Sequence, residues 1–183
     1  MTTKGKFYRY TGAPTGTGAA VSNINFTAWD SNASLSSYPI RRGSAKAYSY
    51  IVVLAYYFEA DPGTISSIYF WPSLVGGSLD DDISIKIATT LQTTYKQATG
   101  TPGSTGTTIA SLYTGVTTED IFNYSSSSPR YVAVADQILS TGIGRYTKYI
   151  LLQMEVDTDA DLGAVPASTV ALRLNHGVVE VPA

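Results

Sequence analysis

The chain has no cysteine and a single histidine, His176, among its 183 residues. The missing thiols exclude a disulfide scaffold. One histidine and no cysteine also leave too few ligands for a zinc centre. Charge is scarce: 12 basic and 14 acidic residues make only 14% of the chain, about half the usual share. A net charge of -2 gives no electrostatic case for nucleic acid or an anionic membrane. Long apolar runs are missing too. The longest, Tyr50 to Phe58, is nine residues, far short of a bilayer span. The first residues, Met1-Thr2-Thr3-Lys4-Gly5-Lys6, have no apolar signal segment. The expectation is a soluble chain without a membrane anchor.

What the chain has is tyrosine, 14 of them, with much Thr, Ser, Gly and Val. These are residues of strands and of the turns between them. Hydrophobic periodicity is two almost throughout. Expected strands cover residues 7–10, 21–29, 48–59, 64–71, 82–90, 109–113, 130–135, 146–156, 169–174 and 178–181, and residues 93–98 extend the fifth or add another. The 48–59 segment is apolar on both faces, which places it mid-sheet with cover on each side. Asp61-Pro62-Gly63 predicts a turn that pairs residues 64–71 back as a hairpin. In 82–90, Ile83, Ile85 and Ile87 face inward, and Ser84, Lys86 and Ala88 outward. Thr118, ahead of Glu119 and Asp120, is the best candidate cap for a brief helical turn over 117–122. Residues 12–18, 99–108 and 125–129 read as loops. No linker divides the chain. Nine to ten short strands argue for a single all-β domain over residues 1–183, a β-sandwich of jelly-roll or Greek-key type.

Candidate chemistry is thin. Asp157, Asp159 and Asp161 alternate as in a calcium loop, but Leu162 and Ser168 stand where an EF-hand needs glycine and glutamate. A solvated acidic turn is the preferred reading, and no cofactor is expected. A Ser-His-Asp arrangement would have to use His176, which sits in an expected turn, and no Gly-x-Ser-x-Gly elbow exists. A glycosidase pair drawn from Glu59, Glu155 and Glu180 is a minor alternative. The chain reads as a non-enzyme. Trp29, Tyr38, Tyr69, Trp71, Tyr95, Tyr113 and Tyr124 fall near expected strand ends or loops and are candidate contacts for a protein or a glycan. Arg41 and Arg42, with Lys46, form a small basic loop.

The order of these segments resembles small β-rich structural proteins of tailed bacteriophages. The resemblance runs through Phe7-Tyr8-Arg9-Tyr10, Ile24-Asn25-Phe26, the Pro39-Ile40 restart and Tyr48-Ser49-Tyr50. It continues in Thr64-Ile65-Ser66-Ser67-Ile68-Tyr69-Phe70 and the closing Val170-Ala171-Leu172-Arg173-Leu174. It implies a capsid decoration or tail protein, assembled into the virion in the host cytoplasm. Its partners would be a major capsid protein and further copies of itself. A carbohydrate-binding module is the alternative from a different class.

Overall fold

A computed structural model describes residues 5–34, 36–58, 64–75, 79, 81–132, 145–160 and 169–179. Among them are eleven strands and almost no helix. In chain order they are β1 (Gly5–Thr11), β2 (Thr17–Val21), β3 (Ala47–Tyr48), β4 (Val52–Phe58), β5 (Thr64–Val75) and β6 (Ile83–Ala88). The short helix α1 (Ile109–Leu112) follows, then β7 (Thr118–Asp120), β8 (Arg130–Val132), β9 (Arg145–Tyr146), β10 (Ile150–Val156) and β11 (Thr169–Val179). The larger sheet runs β2-β1-β4-β10-β6-β7, with β3 on β10 and β9 on β4. The smaller sheet is β11-β5-β8. All these pairings are antiparallel. The class is all-β. This strand order does not by itself assign a jelly-roll or Greek-key type.

β4 explains the layering. Its alternation sends Val52, Leu54 and Phe58 into one core, and Val53, with the preceding Ile51, into another. The first core also takes Ile68 and Phe70 of β5, Ile85 and Ile87 of β6, and Leu152 and Met154 of β10. The two sheets therefore share it. The second core is roofed by Tyr95, Ile109, Tyr113 and Val116, from the segment between β6 and β7. Covered on both sides, β4 is the mid-sheet strand its sequence predicts. Each fully buried aliphatic side chain here contributes about 1.5–3 kcal/mol.

Several expectations need correction. β5 does not form a hairpin with β4; it leaves for the smaller sheet and pairs with β11 and β8. The expected turn at 61–63 lies outside the described residues. Residues 22–29 are not strand. There the Asn25 side chain donates to the carbonyls of Asn32 (3.2 Å) and Ala33 (3.0 Å), and Thr27 Oγ1 donates to that of Trp29 (2.8 Å). Such local side-chain bonds compete with a strand ladder. Residues 93–98 are likewise irregular.

Residues 109–112 are helical, not extended. Thr108 caps them by accepting from Ser111 N, and the Ile109 N–H is taken by Gln153 Oε1 at 3.1 Å. Thr118 is no cap: it pairs with Ala88 in β7. The cap is Asp120, which accepts from Phe122 N at 2.9 Å and starts a 3-10 turn over Ile121–Asn123. Ala88 is buried in the second core rather than facing out, because the roof segment covers that face. β11 runs unbroken through His176, which pairs with Ile68, so this residue is in a strand and not a turn. A bulge at Gly177/Val178 stands where the break was expected.

Candidate interaction surface

The smaller sheet turns one face to the shared core and the other outward. In β5 the buried residues are Ile68, Phe70 and Pro72, while Tyr69, Trp71 and Ser73 alternate with them and are half-buried. On β8, Tyr131 pairs with Tyr69 and is 53% exposed. Their rings lie 5.4 Å apart, tilted by 48°. Tyr131 and Phe122 are large hydrophobic side chains in the open. The register sets Arg173 opposite Trp71 and Asn175 opposite Tyr69 on β11. Three aromatic side chains thus share one outer sheet face, held at strand spacing by a rigid ladder. Tyrosine and tryptophan offer large apolar area at low entropic cost, with a polar atom at the tip.

The face is braced from below by a buried cation. Arg130, next to Tyr131, is 6% exposed and points into the shared core. Its guanidinium sits 5.4 Å from the Phe70 ring centroid and 5.8 Å from that of Tyr124. Tyr124 OH donates to Glu119 Oε1 at 2.5 Å, so the chain of contacts ties β8 to β7 of the other sheet. Burial lowers the Arg130 pKa and raises that of Tyr124. Tyr124 is therefore half-buried bracing rather than an open contact.

Of the other aromatic candidates, Tyr95 and Tyr113 are core residues, 6% and 3% exposed. Tyr95 OH is held by Asp30 Oδ2, and Tyr113 OH donates to the Lys96 carbonyl while accepting from Lys96 N. Neither presents a contact surface. Trp29 and Tyr38 are brought together, with centroids 6.5 Å apart, and Trp29 also leans on buried Tyr50 at 5.6 Å. Both are half-buried and wedge the 27–38 loop.

The basic loop divides. Arg41 and Arg42 are both exposed, but Arg42 Nη1 donates to the Ala160 carbonyl at 2.6 Å. Lys46 is occupied by Glu155 Oε1 (2.6 Å) and Asp157 Oδ2 (3.1 Å). Lys46 thus already neutralises Asp157 of the calcium candidates. The Thr158 N–H and Lys46 lower the Asp157 pKa. Asp159 is exposed, and Asp161 lies outside the described residues. Among the described residues no three metal-ligating side chains cluster. Of the glycosidase candidates, Glu155 is the Lys46 partner, and Glu59 and Glu180 lie outside the described residues. No described helix is long and apolar enough to cross a membrane.

Two features were missed in the sequence. The first is a second tyrosine group on the large sheet. Tyr8 packs against Tyr57 at 5.4 Å, and Tyr10 against Tyr149 at 4.8 Å, all four half-buried. Tyr8 and Tyr10 at alternate positions of β1 are the signal that could have found them. The second is a buried polar knot around Arg9, which is 2% exposed. Its Nη1 donates to Asn25 O (2.7 Å) and Asn32 Oδ1 (2.8 Å). Nothing in a strand reading marks one arginine of Phe7-Tyr8-Arg9-Tyr10 as buried. No family model, no curated protein and no solved structure matches this chain.

Proposed function

We propose that the protein is a non-enzymatic structural component of a virion, a capsid decoration protein that works by protein–protein contact. The observation that carries this reading is the outward aromatic set Tyr69, Trp71 and Tyr131, mounted on a braced sheet and led by a tyrosine that is 53% exposed. Such residues act as interface anchors, since aromatics dominate hot spots. Tyr131 offers most of the open ring area, and the half-buried Tyr69 and Trp71 extend it toward the centre of a contact patch. A surface with little charge suits a protein that spends its working life packed against others. On a symmetric lattice many modest contacts add up by multivalency. The test is heat release of genome from capsids of the encoding phage. Capsids stripped of the protein should break at a lower temperature, and adding it back should restore them. Unchanged heat resistance without the protein would overturn the reading.

The same three rings favour a second reading, a carbohydrate-binding face on which sugar rings stack. Binding on a glycan array that Trp71→Ala abolishes would support it. Silence across a broad array would count against it.

A further inference from the structure

The large sheet ends in two edges of opposite character. At one end β7 is Thr118-Glu119-Asp120, and its two carboxylates guard it. Pairing β7 with a second copy about its central residue would set Glu119 against Glu119, a like-charge clash. At the other end β2 is Thr17-Gly18-Ala19-Ala20-Val21, with no charge and no proline. Thr17, Ala19 and Ala20 are exposed. Among the described residues β2 has a strand neighbour on one side only, β1. It therefore lacks the charge and the proline that commonly block edge-to-edge pairing.

We propose that β2 is a self-association edge, at which a second copy of this chain adds its own β2 antiparallel about a two-fold axis at Ala19. This rests on the reading that the protein works through contacts with other copies, and it names the strand and register. Along an edge strand only every second residue turns its N–H and C=O outward. Two copies of one strand therefore pair through residues of the same parity, and the axis falls on a residue. The register centred on Ala19 sets Ala19 opposite Ala19, Gly18 opposite Ala20 and Thr17 opposite Val21, so it engages all five residues of β2.

Charge and size both suit a second copy. No cross-strand pair in that register brings like charges together, because β2 carries none. The side chains are small enough for the backbones to close to ladder distance. On one face the Tyr10 ring already lies over Gly18, where an added Cβ would come within 2.8 Å of Tyr10 Cζ. Ala20 of the second copy would arrive beside that ring, continuing the Tyr8 and Tyr10 face across the joint. An aromatic ring packed over a strand glycine shields a weak point of the ladder. The neighbouring charged residue on β1, Arg9 opposite Ala19, is buried and so does not repel its counterpart.

The absence of cysteine gives a clean test. In the proposed register the two Ala19 Cα atoms lie about 4.5–5.5 Å apart, within disulfide range. The two Ala20 Cα atoms are offset by two residues along the strands, which puts them about 8–9 Å apart and out of range. Full-length Ala19→Cys should oxidise to a covalent dimer. Ala20→Cys should stay at least tenfold less cross-linked at the same protein concentration. Ala19→Lys, with its fold checked by circular dichroism, should shift the sedimentation velocity profile of the otherwise unmodified chain toward monomer.

Equal cross-linking of the two cysteine variants, or none in either, overturns the β2 register. If the protein still self-associates in sedimentation in that case, the assembly reading survives and only the edge is wrong. Loss of capsid binding, measured separately, would strike the assembly reading and not this one.

Discussion

The hydroxyl of Tyr95 donates to Asp30 Oδ2 over 2.6 Å. That carboxylate also accepts from Gly12 N at 2.7 Å and from Gln97 Nε2 at 3.2 Å. One acidic side chain thus ties the β1–β2 turn, the 27–38 loop and the roof of the second core. Burial, then the bond to Asp30, pushes the Tyr95 pKa up. Tyr95→Phe keeps the packing and removes a bond to a charged acceptor, which costs about 1.5–3 kcal/mol. Urea unfolding should show that loss without a change in m-value. Gly16, at φ 67 with the Tyr95 ring 2.7 Å from where a Cβ would stand, should tolerate alanine no better.

Two buried glutamines do the work of missing strand neighbours. Gln97 donates to Ile51 O (2.7 Å) and accepts from Ile51 N (3.1 Å), as a paired strand would. Gln153 donates to Ser49 O (2.7 Å) and Thr107 O (2.9 Å) and accepts from Ile109 N (3.1 Å). Gln153→Leu conserves bulk but orphans three backbone groups. The expected cost is about 3 kcal/mol or more, since each buried unpaired group costs about 1–3 kcal/mol. A melting temperature within a degree or two of wild type would contradict this role.

Alkaline pH should unfold the protein. Burial raises the Tyr113 pKa to about 12, and it raises Tyr95, Tyr124 and Tyr149 as well. A tyrosine raised in the folded state stays neutral there while the unfolded chain ionises near pH 10. The stability from these groups is therefore complete below about pH 10 and is lost as pH rises toward about 12. Arg9 has the opposite sign. Burial lowers it to about 10 and lowers Arg130 too, so above pH 10 both gain stability as pH rises, two arginines against four tyrosines. Circular dichroism should collapse above pH 10 together with a late step in tyrosinate absorbance. Complete ionisation of all tyrosines near pH 10 with the fold intact would contradict it.

Legibility in the sequence followed how local the cause was. The two-faced β4 and the inward Ile85 and Ile87 were legible, because alternation fixes which face a residue takes. Alternation does not fix the neighbour, so β5 was expected beside β4 although it belongs to the other sheet. The roof over the second core has no period at all. Tyr95 and Tyr113 therefore looked like loop aromatics, and only the fold shows them as core. Of the interaction surface, Trp71 was legible as a strand-end aromatic. Tyr69 was legible in the same way, but Tyr131 was not, since its exposure depends on which sheet face stays uncovered.

Tyr131→Ala should leave stability within about 0.5 kcal/mol of wild type, as for other surface substitutions. If the ring anchors a partner, the same change should weaken that association at least about tenfold, the scale of a hot spot.

If the chain is the decoration protein proposed above, the most direct measurement is cosedimentation of the purified protein with phage capsids from which it has been removed. Wild type should bind saturably, and a Trp71→Ala, Tyr131→Ala double variant that still folds should stay in the supernatant. Equal binding of the two proteins, or no binding of wild type, would contradict a contact role for the outer face of the smaller sheet.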